Sequence, residues 1–444
     1  MNNAIASHPV PHNKVKEILS RHILADGFDF VMDFEKSHGS WIYDKVTGKE
    51  FLDMFSMFAS GSIGYNHPYI MEKSDWLGKM AVNKPTLADV YSEEYAAFME
   101  VFERVAMPKE LQYAFFISGG TLAVENAMKA CFDWKTRKNF EKGVEEEAGI
   151  CIHFRQAFHG RSGYALSLTN TADPRKYEYF PKFDWPRILN PKLEFPITEE
   201  SLDTTIKNEQ LALLQIQEAI LANPNQVACI IIEPIQAEGG DNHFRDEFFV
   251  ELRKICDDNE VLLIFDEVQT GIGITGKMWA FQHFSVVPDV IAFGKKTQVC
   301  GILANKDKFD EIPNNVFKES SRINSTFGGN FIDLLRFKMI LEVIENENII
   351  NNVNEIGAEL LMGLEQLAAQ YPAVISNARG RGLMCAFDLP NSEIRNQVQE
   401  DLYQNDMIIL GCGDRSLRFR PHLNVSKDEI DLALKKIERC VNKI

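Results

Sequence analysis

Short apolar runs in the middle of the chain each end in a polar or glycine-containing stretch. Residues 227–232 read VACIII and stop at Glu233-Pro234, and residues 261–265 read VLLIF and stop at Asp266-Glu267. Residues 290–293 read VIAF and stop at Gly294-Lys295-Lys296, while 149–154, GICIHF, precede Ala157-Phe158-His159-Gly160-Arg161. Unbroken apolar runs of this length suit strands buried on both faces of a parallel sheet. Helical spacing at 211–222 and 247–259 lies between them. Alternating strands and helices predict an α/β domain with a mostly parallel sheet. Such sheets bind ligands beyond the carboxyl ends of their strands, where each polar stretch falls.

Toward the two ends the pattern changes. Residues 40–53 (SWIYDKVTGKEFLD) predict a hairpin turning at Thr47-Gly48. Apolar spacing from 334 to 370 is helical, and 380–389 and 417–420 have the character of strands. Residues 426–441 close the chain as a helix with Ser426 as its N-cap. This reading divides the chain into a large domain, 69–330, and a smaller α+β domain built from 1–68 and 331–444.

Composition narrows the function. With 444 residues, 45% hydrophobic and 25% charged, the chain has the make-up of a globular protein of two or three domains. That excludes disordered and fibrous classes. A net charge of −17 without a long basic run argues against nucleic acid. The 8 cysteines form no CxxC pair, so neither a disulfide framework nor a zinc site is expected. They read as reduced, buried cysteines of a cytoplasmic protein. Residues 1–10 are polar and predict no signal peptide. No run of apolar residues is long enough to predict a membrane span.

Three features could carry chemistry. Ile117-Ser118-Gly119-Gly120-Thr121 opens a strongly helical stretch, 122–138. Small residues there leave backbone N–H groups free for a phosphate, or simply make a tight turn. No GxxxxGK[ST] is present, so this is not a P-loop. Asp266 ends the VLLIF run, where a carboxylate is either a helix cap or a site residue. Lys295-Lys296 follow VIAF, and a lysine in that position must lower its pKa or find a partner. A neutral lysine is the nucleophile that Schiff-base chemistry needs; the residues themselves leave open which of the two points inward. Together, a lysine, an aspartate about thirty residues earlier and a small-residue helix start are the parts of a pyridoxal phosphate site.

These stretches resemble those of the class III pyridoxal-phosphate aminotransferases from about residue 39 to the C-terminus. The resemblance rests on Gly64-Tyr65-Asn66-His67-Pro68, the segment 118–125, Phe158-His159-Gly160-Arg161, Ile232-Glu233-Pro234-Ile235-Gln236 with Glu238-Gly239-Gly240, and above all DEVQTG at 266–271 with its downstream Gly294-Lys295. Ser325-Thr326-Phe327-Gly328-Gly329-Asn330 completes it. The resemblance implies a fold type I transferase and pyridoxal 5'-phosphate as cofactor. It implies Lys295 as the lysine that carries the cofactor, Asp266 on the pyridine nitrogen and Gln269 on the ring hydroxyl. Val268 and Phe158 would pack on the two ring faces, and Gly120 and Thr121 would bind the phosphate. Thr326 would reach the phosphate of a neighbouring subunit, making the active unit a homodimer with shared sites. Arg161, Asn324, Glu238 and Arg418 would meet substrate, with Glu238 lying against Arg418.

Within the class, FGKKTQVCG and RGRGLMCAFDLP are similar to the branch that acts on the ε-amino group of L-lysine with 2-oxoglutarate as acceptor. An ω-aminotransferase for ornithine, acetylornithine or 4-aminobutyrate is the alternative. A nicotinamide dehydrogenase is disfavoured because no GxGxxG follows a predicted strand, and a catalytically silent scaffold because it needs none of Lys295, Asp266, Gln269 and Arg418. The sequence departs from the class in three places. Gly119-Gly120 supplies one residue more than usual before Thr121, His422 stands after Pro421 where a second proline is common, and Arg420 could compete with Arg418 for a carboxylate.

Overall fold

The computed structural model describes residues 10–444, so all but Val10 of the segment read as lacking a signal peptide lies outside the described residues. Among the described residues fourteen strands fall into three sheets. In chain order they are β1 (Trp41–Tyr43), β2 (Glu50–Asp53), β3 (Tyr113–Ile117), β4 (Ile150–Phe154), β5 (Arg187–Ile188), β6 (Val227–Ile232) and β7 (Leu262–Asp266). Then come β8 (Val290–Phe293), β9 (Cys300–Ala304), β10 (Ser376–Arg381), β11 (Met384–Asp388), β12 (Met407–Ile408), β13 (Leu410–Cys412) and β14 (Ser416–Arg418).

The seven-stranded sheet has the order β3-β9-β8-β7-β6-β4-β5. Its strands are parallel from β8 through β5, and β9 alone runs antiparallel to its neighbours β3 and β8. The α/β expectation is met. Every residue of β6, β7 and β8 is buried, because successive side chains enter two different cores. Cys229 and Ile231 of β6 pack with Leu262, Ile264 and the helix Gly120–Glu141, whereas Ile230 and Ile232 pack with Leu263, Phe265 and the helix Asp246–Asn259. An apolar run without alternation is what a strand covered on both faces must show.

Two smaller sheets come from the chain ends. The hairpin β1–β2 forms as expected, with Ile42 opposite Phe51 and Gly48 at φ +74° in its turn. β12 pairs parallel to β2, Met407 opposite Leu52, joining the two ends of the chain in one sheet. The other small sheet is β10-β11-β14-β13, antiparallel throughout. The closing helix spans Lys427–Val441, and Ser426 with Glu429 makes a capping box.

Two expected elements are corrected and a third is resolved further. The single strand at 380–389 is a hairpin, broken where Gly382 turns at φ +57° between β10 and β11. The helical spacing at 334–370 resolves into two helices, Phe331–Asn346 and Ile349–Gln370, separated by Asn348 at φ +52°. The helix at 211–222 begins at Glu199 behind a Thr198–Ser201 capping box; its first turns are polar and hide the period. No helix among the described residues is long and apolar enough to cross a membrane.

Candidate active site

The ends of five strands of the seven-stranded sheet supply the site. β3 leads into the helix Gly120–Glu141, β4 into Phe158 and His159, β6 into Glu233 and Glu238, β7 ends on Asp266, and β8 leads through Gly294 to Lys295. They enclose a cavity of about 210 Å³. Gly120, Thr121, Phe158, Glu238, Asp266, Val268, Gln269 and Lys295, all singled out from the sequence, line it together with His159, Gly160 and Glu233.

The helix start at Gly120 has no side-chain cap and no acidic residue in its first turn. Its free N–H groups and the helix dipole therefore favour an anion. The wall is too close for side chains at two glycines. A Cβ on Gly120 would stand 3.1 Å from Val268 Cγ1, and one on Gly160, at φ +142°, would stand 2.4 Å from Thr121 Oγ1.

Asp266 is buried, and its carboxylate is aimed by two donors. His159 Nδ1 lies 2.7 Å from Oδ2 and the Val268 N–H lies 3.0 Å from Oδ1. A carboxylate only accepts, so Nδ1 carries the His159 proton. Glu233 accepts from the Phe158 N–H and the Ala237 N–H, each at 3.0 Å, tying the β4 and β6 loops together. Burial pushes the Glu233 carboxyl well up from the usual range. His159 and Glu233 lie within sequence motifs that assign them no role; the signal for them is a polar residue that soon follows a buried strand.

The lysine pair is not on a strand end, as the apolar run suggested, but in the short 3-10 turn Lys295–Thr297, with Lys295 at φ +54°. That turn sends the two ammonium groups apart. Lys295 lines the cavity and donates to the Phe58 carbonyl at 3.1 Å; Lys296 is buried behind it and donates to the Gly61 carbonyl at 2.8 Å. Loss of solvation, with Arg418 nearby, pulls Lys295 down to about 8. Burial and Arg420 pull Lys296 down to about 7. The accepting carbonyls belong to an unusual segment: Ser56, Met57, Phe58 and Ala59 all have positive φ, from 40° to 66°. Left-handed turns of non-glycine residues cost about 1–2 kcal/mol per residue. Asp53 helps hold this one through the N–H groups of Phe55 and Ser56.

Arg420 and Arg418 have different employment. Arg420 is buried and forked onto the buried Asp241, Nη1 to Oδ2 at 2.9 Å, with Nε donating to Gln269 Oε1 at 2.9 Å. Arg418 gives Nη2 to Glu238 Oε2, at 2.7 Å, and its buried Nε and Nη1 have no partner among the described residues. The other oxygen of Glu238 accepts from Lys176 Nζ at 2.5 Å. Burial raises the Glu238 carboxyl, but Arg418 and then Lys176 outweigh it and hold the group below the carboxylate range. His422 is buried, both ring nitrogens without a partner among the described residues, and packs edge-on against Tyr65, with centroids 4.7 Å apart.

Four expected site residues do not line this cavity, and of these Arg418 is joined to it through its bond to Glu238. Arg161 is exposed and adjoins it only through its backbone N–H, 3.4 Å from Thr121 Oγ1. Asn324 and Thr326 lie on an exposed segment. No cluster of side chains among the described residues could hold a metal ion.

The cavity fits pyridoxal 5'-phosphate. An uncapped helix start meets a phosphate, Asp266 meets a protonated ring nitrogen, and Val268 and Phe158 supply apolar surface. Lys295, easily made neutral, meets the aldehyde. Beside them the open donors of Arg418 await a carboxylate.

The model of the family "Aminotransferase class-III" matches residues 24–441. The chain belongs to this family, whose cofactor is pyridoxal 5'-phosphate. It is 47% identical over 442 residues to an L-lysine-epsilon aminotransferase of Mycobacterium tuberculosis, covering 99% of this chain and 97% of that one. The solved structure of a lysine aminotransferase from M. tuberculosis in the internal aldimine form matches with a TM-score of 0.95 at 46% identity, covering 98% of this chain and 100% of that one. Human mitochondrial 4-aminobutyrate aminotransferase is 34% identical over 421 residues, 90% of this chain and 82% of that one.

Proposed function

We propose that this chain moves the ε-amino group of L-lysine to 2-oxoglutarate, giving 2-aminoadipate 6-semialdehyde and L-glutamate. The observation that carries it is the state of Arg418. One edge is covered by Glu238 while Nε and Nη1 stay free. A carboxylate-binding arginine with a displaceable cover suits a pocket that must present a distal amine in one half-reaction and bind an α-carboxylate in the other. The higher identity to the lysine enzyme than to the 4-aminobutyrate enzyme points the same way.

Pyridoxal phosphate, when bound, supplies an electron sink next to the carbon that bears the amine. Asp266, oriented by His159, would hold the proton on the ring nitrogen. Gln269 would donate to the ring oxygen, Val268 and Phe158 would pack on the ring, and the N–H groups at Gly120 and Thr121 would hold the phosphate. Lys295 would be the residue that holds the aldehyde end of the cofactor, and its amine would move the proton at the ε-carbon of the substrate. Arg161, exposed beside Thr121, would take the α-carboxylate of lysine. With Glu238 covering Arg418, that carboxylate has no competing seat near the cofactor. 2-Oxoglutarate displaces Glu238 and places its α-carboxylate on Arg418.

The active unit is a homodimer. Asn324 and Thr326 lie on an exposed segment away from their own cavity and serve the site of the second subunit. The 8 cysteines, all buried and unpaired, support a cytoplasmic setting. Sedimentation of the loaded enzyme tests the dimer, and a fully active monomer contradicts it.

A screen of lysine, ornithine, acetylornithine and 4-aminobutyrate as donors to 2-oxoglutarate tests the substrate; strong preference for any other donor removes the lysine assignment. Glu238→Gln tests the cover on Arg418. Product analysis with L-lysine should then find the 2-oxo acid beside the 6-semialdehyde. Unchanged regiochemistry at full efficiency rejects that role.

A further inference from the structure

Lys176 lies outside every motif that identified the family, in the stretch between β4 and β5. It ends the short turn Pro174–Lys176, which Asp173 caps by accepting from the Arg175 N–H at 3.2 Å. From there its ammonium reaches Glu238 Oε1 at 2.5 Å and stands 5.8 Å from the centroid of the Phe158 ring. Lys176 and Glu238 are each only about a fifth exposed, at 23% and 22%. Glu238 thus bridges two cations, one on each oxygen, and Lys176 has no second carboxylate partner among the described residues.

We propose that Lys176 is the second seat of Glu238, a positioning residue that keeps the glutamate when the acceptor's α-carboxylate displaces it from Arg418. This rests on the reading of Glu238 as the cover of Arg418.

The charges of the trio explain why a second seat is needed. Lys176, Arg418 and Glu238 together leave one positive charge, which an incoming α-carboxylate neutralises. Without Lys176 the pair Arg418–Glu238 is already neutral. An arriving carboxylate then leaves two anions beside one guanidinium, in a pocket where water screens them poorly. With Lys176, Glu238 gives up one of two bonds and stays paired. The donor makes no such demand, because the α-carboxylate of lysine goes to Arg161 and leaves Glu238 in place. Lys176 therefore acts on the acceptor half of the reaction.

The test measures binding of glutarate, a dicarboxylate without the reacting carbonyl, to the holoenzyme by calorimetry. Lys176→Met should weaken it about tenfold, within the usual range of coupling between neighbouring sites. kcat/KM for 2-oxoglutarate should fall by a similar factor, and the lysine half-reaction should lose much less. Lys176→Arg, which keeps the charge, should restore most of the binding. In a Glu238→Gln background the effect of Lys176→Met should shrink to a small fraction. An equal loss in both backgrounds means that Lys176 meets the dicarboxylate directly, and overturns the proposal. So does unchanged glutarate affinity, or an equal fall in both half-reactions. Glu238→Gln alone separates the two ideas. If it alters neither regiochemistry nor glutarate affinity, the cover on Arg418 is gone and the seat with it. If it acts while Lys176→Met is silent, only the seat is lost.

Discussion

Arg420 Nε donates to Gln269 Oε1 at 2.9 Å, and that bond fixes which end of the amide faces the cavity. A guanidinium has no acceptor, so Gln269 must offer it the carbonyl, leaving the NH₂ group free for an acceptor in the site. An oxygen of the bound ring is such an acceptor. The same contact settles the competition between the two arginines. Arg420 spends its donors on Gln269, Asp241 and the Phe419 carbonyl, whereas Arg418 keeps two unspent.

Arg420→Met should therefore act on stability first. It leaves Asp241 buried without its fork, a loss of about 3–5 kcal/mol by the usual cost of breaking a buried pair. Arg418→Met leaves Glu238 seated on Lys176 and should cost far less, while raising KM for 2-oxoglutarate. Urea unfolding of both variants, set beside their kinetics, checks the split. Equal destabilisation by the two would contradict it.

Borohydride reduction of the loaded enzyme, followed by peptide mapping, should place the cofactor on Lys295. Lys295→Ala should abolish the label and Lys296→Ala should retain it, since only Lys295 lines the cavity and Lys296 is turned to the Gly61 carbonyl. A label on Lys296 overturns the assignment.

Asp266→Asn should retain most of the cofactor and lose turnover by about 10²- to 10³-fold, the size of a removed electrostatic contact at a reacting centre. The amide cannot stabilise the ring proton, yet the helix start at Gly120 still holds the phosphate. Absorbance of bound cofactor and kcat, measured on one preparation, decide it; turnover within a few-fold of the parent enzyme rejects the role.

Capture of pyridoxal phosphate by the cofactor-free protein should speed up as pH rises through about 8. Lys295 is pulled down to about 8 by lost solvation and then by Arg418. Below that pH its amine is protonated and unreactive; above it the neutral form dominates and the rate levels off. Stopped-flow rates across pH 6–10 test this. The same profile in Lys296→Met assigns it to Lys295, and a midpoint near that of an ordinary lysine refutes it.

The sequence by itself determined the sheet and the place of the site. Unbroken apolar runs at 227–232, 261–265 and 290–293 can be stable only as strands with both faces covered. Whatever follows such strands gathers at one edge, so Asp266 and the lysine pair had to meet. Short-range signals were legible for the same reason: Ser426 and Gly48 act through bonds and dihedrals within a few residues. Tertiary structure alone decided the rest. Which lysine enters the cavity depends on the turn at Lys295 and on carbonyls at Phe58 and Gly61, over 230 residues away. The employment of Arg420 depends on Asp241, and that of Glu238 on Lys176 and Arg418 together. A side chain's charge is written in the sequence, but its partner is set by the packing of distant segments, and a local pattern holds no information about that.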